Sequence, residues 1–154
     1  MTFGKTILSL ACAAALGTGL VTAAAANDAA LAARKGNFQL YAFHVGLLGA
    51  MARGDVAYDA EAAKTAASNL AAIASIDWTP LWVEGTDNAS IANTRALPAI
   101  WSDREGFDAI KGRLAAATAD LAENAGDGLD AVRAGLGAVG QNCQACHETY
   151  RQAQ

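Results

Sequence analysis

Both prolines of this 154-residue chain, Pro80 and Pro98, fall in one stretch, Asp77 to Trp101. Everywhere else the chain lacks the residue that most disfavours a helix interior, at about 3 kcal/mol. Alanine dominates those other regions. No strand-like alternation of useful length occurs. The expectation is an all-α chain interrupted by one long irregular connection.

Apolar spacing divides the chain into four helices. The first runs from a cap at Asn27 or Asp28 to about Met51, with Leu31, Arg34, Phe38, Tyr41, Val45 and Leu48 on one face. Gly54 and Asp55 end it. The second is capped by Asp59 and turns Ala63, Ala66, Leu70, Ile73 and Ile76 inward. "SDRE" at 102–105 reads as a capping box, with Ser102 as cap and Glu105 three residues on. Phe107, Ile110, Leu114, Ala117 and Leu121 follow on one face. "NAGDG" at 124–128 breaks that helix, and Asp127 caps the fourth. Its inward edge is Leu129, Val132, Leu136, Val139, Cys143 and Cys146. Trp78, Leu81, Trp82, Leu97, Ile100 and Trp101 give the long connection an apolar side to pack. The fold expected is an antiparallel four-helix bundle with one long crossover loop.

The N-terminus stands outside that pattern. Lys5 precedes an apolar run from Thr6 to Val21, and small residues end near Ala26. That order is a secretory signal peptide, 1–26, followed by one domain, 27–154. A membrane span wants about 20 apolar residues, and this run is shorter and broken by Gly17 and Gly19. Cys12 would leave with the leader. The net charge of -4 becomes one unit more negative, because Lys5 is lost and no acid is. No stripe of Lys or Arg suggests nucleic acid.

Only Cys143 and Cys146 then remain, in "QNCQACHETYR" at 141–151. Three chemistries use such a pair. Thiol–disulfide exchange wants a helix N-terminus that lowers a thiol pKa; a late helix turn does the opposite. Zinc would take Cys143, Cys146 and His147 and need a fourth ligand, from His44 or an acid. Covalent haem uses Cys-x-x-Cys-His directly. Two thiols about one turn apart add to the two vinyl groups, and the adjacent His147 reaches the iron. Export suits this chemistry, and the residues favour haem.

Beyond that motif, the chain resembles the cytochrome c-prime family, the class II c-type cytochromes, over nearly all of residues 27–154. The resemblance rests on Cys143, Ala145, Cys146, His147, Tyr150 and Arg151. It also rests on "RKGNFQLYAFH" and "LGAMARGDVAYDA" in the first helix and its exit, and on "IWSD" at 100–103. It implies a periplasmic monohaem protein, one haem c bound through Cys143 and Cys146, and a homodimer using the first two helices. Ala62, Ala63 and Gly49 are small enough to allow close packing there.

In low-spin members a methionine four residues after the arginine ligates the iron. Counting from Arg34, that position is Phe38, which has no lone pair. The resemblance therefore implies five-coordinate, high-spin haem with Phe38 as a lid. Met51 and His44 point about 140° and about 120° away from Phe38 round the helix. It also places Arg34 near a haem propionate, Arg151 near the proximal side, and Tyr41 in the pocket. The function expected is one-electron transfer with small periplasmic redox proteins. The alternative is binding of nitric oxide or carbon monoxide at the vacant side. No distal acid–base group suggests a peroxidase, so no enzymatic activity is expected.

Overall fold

The computed structural model describes the backbone of residues 18–153 and the side chains of residue 25 and of 27–153. Helix α1 spans Thr18–Arg53, α2 Ala60–Ser75, α3 Ala99–Ser102, α4 Arg104–Asn124 and α5 Leu129–Tyr150. The long helices α1, α2, α4 and α5 form the bundle; α3 is a single turn within the crossover. A 3-10 turn, Thr79–Leu81, forms at Pro80. Helix α2 packs chiefly on α4, and α4 on α5, while α1 leans on α2 and α5. Among the described residues no helix is long and apolar enough to cross a membrane.

The inward stripes were largely legible. Ala63, Ala66 and Leu70 of α2 are buried, as are Phe107, Ile110, Leu114, Ala117 and Leu121 of α4 and Val132 and Val139 of α5. Trp78, Trp82 and Ile100 are buried too, so the crossover contributes core rather than hanging free. The indole N–H of Trp101 donates to the Trp82 carbonyl at 3.2 Å and pins the crossover to itself.

Several expectations are corrected. Asn27 and Asp28 do not cap α1, because the alanine run before them has high helix propensity and the helix continues through it. The leader proposed at 1–26, with Cys12, lies mostly outside the described residues. Ser102 is not the α4 cap; it closes α3. Asp103 takes that place, its side chain accepting from Gly106 N at 3.2 Å. Asp127 does not cap α5. Gly128 does, at φ 131°, a left-handed conformation that glycine alone adopts cheaply. Its N–H donates to Tyr58 Oη at 3.1 Å, and Tyr58 in turn donates to the Ala125 carbonyl at 2.8 Å. Ile76 follows the last turn of α2, and the chain turns it out to 41 % exposure. Ala63 is fully buried within the protomer, so it cannot serve an intersubunit face. Asp59 caps α2 as expected, accepting from Ala62 N at 2.8 Å.

On α1 the buried stripe is Arg34, Asn37, Tyr41, Leu48 and Met51. Asn37 takes the inward place given to Phe38, which stands at the edge of the face, 36 % exposed.

Candidate functional site

The last turns of α5 carry the chemistry. Val132 and Val139 seat the helix in the core and so fix which way the following turns face. Cys143 and Cys146 are partly buried free thiols. His147 projects to the exposed side. A cavity of about 560 Å³ opens beside them, walled by Cys143, Gln144, His147 and Glu148 and rimmed by Arg95, Arg151 and Gln152. That volume is in the range that holds a cofactor.

The end of α5 is held by the crossover. Leu97 N donates to the Tyr150 carbonyl at 3.0 Å, and Gln152 N donates to the Arg95 carbonyl at 2.8 Å. Ala96 and Arg151 pair as an isolated antiparallel bridge. The Arg95 guanidinium grips the Gln152 carbonyl with Nε at 3.0 Å and Nη2 at 2.6 Å. These bonds order the chain immediately beyond His147 and bring Arg95 and Arg151 beside it.

Charge states follow from burial. Desolvation raises the Cys143 thiol and lifts Cys146 to about 11, the neighbouring Cys143 adding to the effect and Arg151 opposing it. Burial lowers the His147 imidazole, and Arg151 and Arg95 push it further down. Both thiols are therefore protonated and the imidazole is neutral at pH 7. Disulfide exchange needs a thiolate, which this environment disfavours. Among the described residues no cluster of three or more His, Cys, Asp or Glu is arranged to hold a bare metal ion. Protonated thiols that add across vinyl groups, beside a neutral imidazole with a free lone pair, suit haem.

The other wall is aromatic. Phe38 stacks on Tyr41 at 5.9 Å and meets Trp78 and Trp82 edge-on at 5.6 and 6.2 Å. Phe107 lies 5.0 Å from Trp82 and 5.4 Å from Tyr150, which links this wall to the end of α5. Burial raises the Tyr41 hydroxyl well above the ordinary phenol range. Phe38, Tyr41 and Arg34 belong to this wall rather than to the lining of the cavity beside His147. Met51 is packed in the core with Leu48.

Arg34 is buried and sits 4.5 Å over the Trp82 ring. It donates to Thr86 Oγ1, the Thr86 carbonyl and Thr94 Oγ1 at 3.0–3.1 Å. Among the described residues it has no carboxylate partner, so a buried cation remains uncompensated. A haem carboxylate would supply that charge. Asn37 Nδ2, Tyr41 Oη, Trp78 Nε1 and Trp82 Nε1, buried on the same wall and without partners among the described residues, also mark a place for a further group. The residues present fit a haem.

Sequence reasoning missed Arg95, Thr86 and Thr94. They lie in the crossover, where no periodicity signals a role, and their partners are 52 to 60 residues away.

The family model described as cytochrome c' matches residues 29–151. A cytochrome c' from Cereibacter sphaeroides is 41 % identical over 140 residues, covering 90 % of this chain and 94 % of that protein. The solved cytochrome c' from Rhodobacter spheriodes superposes with a TM-score of 0.81 at 38 % identity, over 83 % of this chain and 98 % of that one. Another solved cytochrome c', described as having an unusual ligand-controlled dimer dissociation, superposes at 0.76 with 28 % identity, over 82 % of this chain and 97 % of that one. Matches that run from the first described helix through Arg151, with the attachment turn included, mean that the chain belongs to the cytochrome c' family of c-type haem proteins.

Proposed function

We propose that the protein is a periplasmic monohaem cytochrome that passes single electrons at a five-coordinate iron. Cys143 and Cys146 would hold the haem and His147 would ligate the iron. Bound haem supplies a one-electron iron couple; the chain supplies attachment, orientation and electrostatics. The observation that carries the reading is the placement of the Cys143–His147 turn on an outer edge of the bundle. A group attached there presents its edge to the surface, which a redox partner can approach without a substrate pocket. Arg95 and Arg151 keep positive charge beside His147, and the aromatic wall excludes water from the opposite side.

Phe38 supports a second reading, uptake of nitric oxide or carbon monoxide. It offers no lone pair and is not locked in the core. A solved ferrous variant of the Alcaligenes xylosoxidans cytochrome c' carries bound nitric oxide. The buried hydroxyl of Tyr41 stays protonated and cannot act as a base at neutral pH, which argues against an enzymatic role.

A homodimer fits the outer face of α1, where Leu40, Phe43 and Leu47 are exposed at helical spacing. Sedimentation of the mature protein gives its mass directly.

The deciding experiment is the optical spectrum of protein matured in a periplasm, taken oxidised, reduced, and reduced with carbon monoxide. A broad high-spin Soret band and a carbon monoxide adduct support an open site. A sharp low-spin spectrum means another side chain ligates the iron and leaves electron transfer alone.

A further inference from the structure

Among the described residues, five buried polar atoms lack hydrogen-bond partners: Asn37 Nδ2, Tyr41 Oη, His44 Nδ1, Trp78 Nε1 and Trp82 Nε1. Each such atom costs about 1–3 kcal/mol if nothing fills its bond. Three of them lie at 37, 41 and 44, on one face of α1. That face carries Arg34 at one end and becomes apolar at Leu48 and Met51.

Tyr41 stands apart within the group. It is 6 % exposed. Its ring stacks on Phe38 and meets Trp78 edge-on at 6.4 Å. Burial holds its hydroxyl protonated well beyond the ordinary phenol range. It is therefore a permanent donor, stacked against the lid.

We propose that the Tyr41 hydroxyl donates a hydrogen bond to a small polar ligand, represented by nitric oxide, in the space that Phe38 guards, and so favours it over carbon monoxide. The inference rests on the vacant distal position proposed above. Phe38 discriminates only by size, and the two diatomics are nearly equal in size. A donor separates them by charge, because bound nitric oxide gathers more negative charge on its outer atom. A site with a directed donor loses that bond with a ligand that accepts poorly.

A haem pocket contains one other class of acceptor, the porphyrin carboxylates. These lie on the macrocycle edge opposite the vinyl groups. Arg34, two turns before Tyr41 on α1, is the residue placed for the carboxylates.

Tyr41→Phe keeps the ring and its stack and removes only the donor. Holoprotein of both forms is compared by the C–O stretching frequency of the ferrous carbon monoxide complex and by dissociation rates of both gases. The expected result is a higher C–O frequency and nitric oxide release faster by about fivefold, the equivalent of one hydrogen bond, with carbon monoxide release changed by less than about twofold. A variant that takes up carbon monoxide with unchanged frequency and unchanged nitric oxide release overturns this proposal alone. A changed reduction potential with an unchanged C–O frequency also overturns it, by assigning the hydroxyl to a porphyrin carboxylate. Wild-type protein that is low-spin and takes up no carbon monoxide overturns the vacant-site reading, and this proposal with it.

Discussion

Tyr150 Oη donates to Asp103 Oδ2 at 2.6 Å, joining the turn after His147 to the N-cap of α4. Asp103 thus does two jobs, since its Oδ1 accepts from Gly106 N. The bond spans 47 residues and locks the attachment turn to the core through the Phe107 ring.

That bond needs a glycine beneath it. A Cβ at Gly106 would sit 2.5 Å from Tyr150 Oη and 2.8 Å from Asp103 Oδ1. On propensity alone Gly106→Ala should stabilise a helix by roughly 0.5–1 kcal/mol. We expect a loss of about 1–3 kcal/mol instead, from displacement of both partners. Guanidinium unfolding of the holoprotein reads the sign, and a gain in stability would show that the contact yields easily.

The same bond makes stability depend on alkaline pH. Burial, and then the Asp103 carboxylate, push the Tyr150 hydroxyl up to about 12. In the unfolded chain it ionises near about 10. Below about pH 10 both states hold the proton and the contribution is complete. Between about pH 10 and 12 only the unfolded chain releases it, so stability falls by at most about 1.4 kcal/mol per pH unit. Tyr150→Phe should flatten that part of the curve in unfolding measured from pH 8 to 12. An equal slope in both proteins would assign it to other groups.

Arg34 ties the crossover to α1. Arg34→Met should cost about 2–4 kcal/mol, because the acceptors on Thr86 and Thr94 lose their donor. Limited proteolysis should then cut between residues 83 and 94 faster. Unaltered proteolysis would mean that the loop is held by its own bonds, such as Thr86 Oγ1 to the Val83 carbonyl.

Phe38 is expected to weaken carbon monoxide binding by occupying its space. Phe38→Ala should raise both affinity and association rate, by about tenfold if about 1.4 kcal/mol of displacement is removed. Flash photolysis measures both. Unchanged values in the variant would remove Phe38 from the lid role.

Attachment is tested without spectroscopy of the iron. Cys143→Ser and Cys146→Ser should each leave haem on the denatured polypeptide through the remaining thioether. The double variant should lose it all on a haem-stained denaturing gel. Haem retained by the double variant would place the bond elsewhere.

The residues themselves determined the parts of this protein that are local. Phe107, Ile110 and Leu114 sit three and four apart, so one face of α4 had to be apolar whatever it packed against. Cys143, Cys146 and His147 share one turn, so their common chemistry was legible from spacing alone. Glycine and aspartate marked every break, and Asp59 was legible as the cap of α2, but the caps of α4 and α5 were not. The choice between Ser102 and Asp103 depended on where the short α3 ended, and Gly128 displaced Asp127 because Tyr58 offered its N–H a partner. Tertiary structure alone decided the rest. It turned Ile76 outward and put Asn37 rather than Phe38 on the inner face of α1. It also closed Arg34 on Thr86, Arg95 on Gln152 and Tyr150 on Asp103. Those partners lie tens of residues apart, and a polar side chain in an irregular crossover finds its acceptor only after the helices have fixed where the chain must cross.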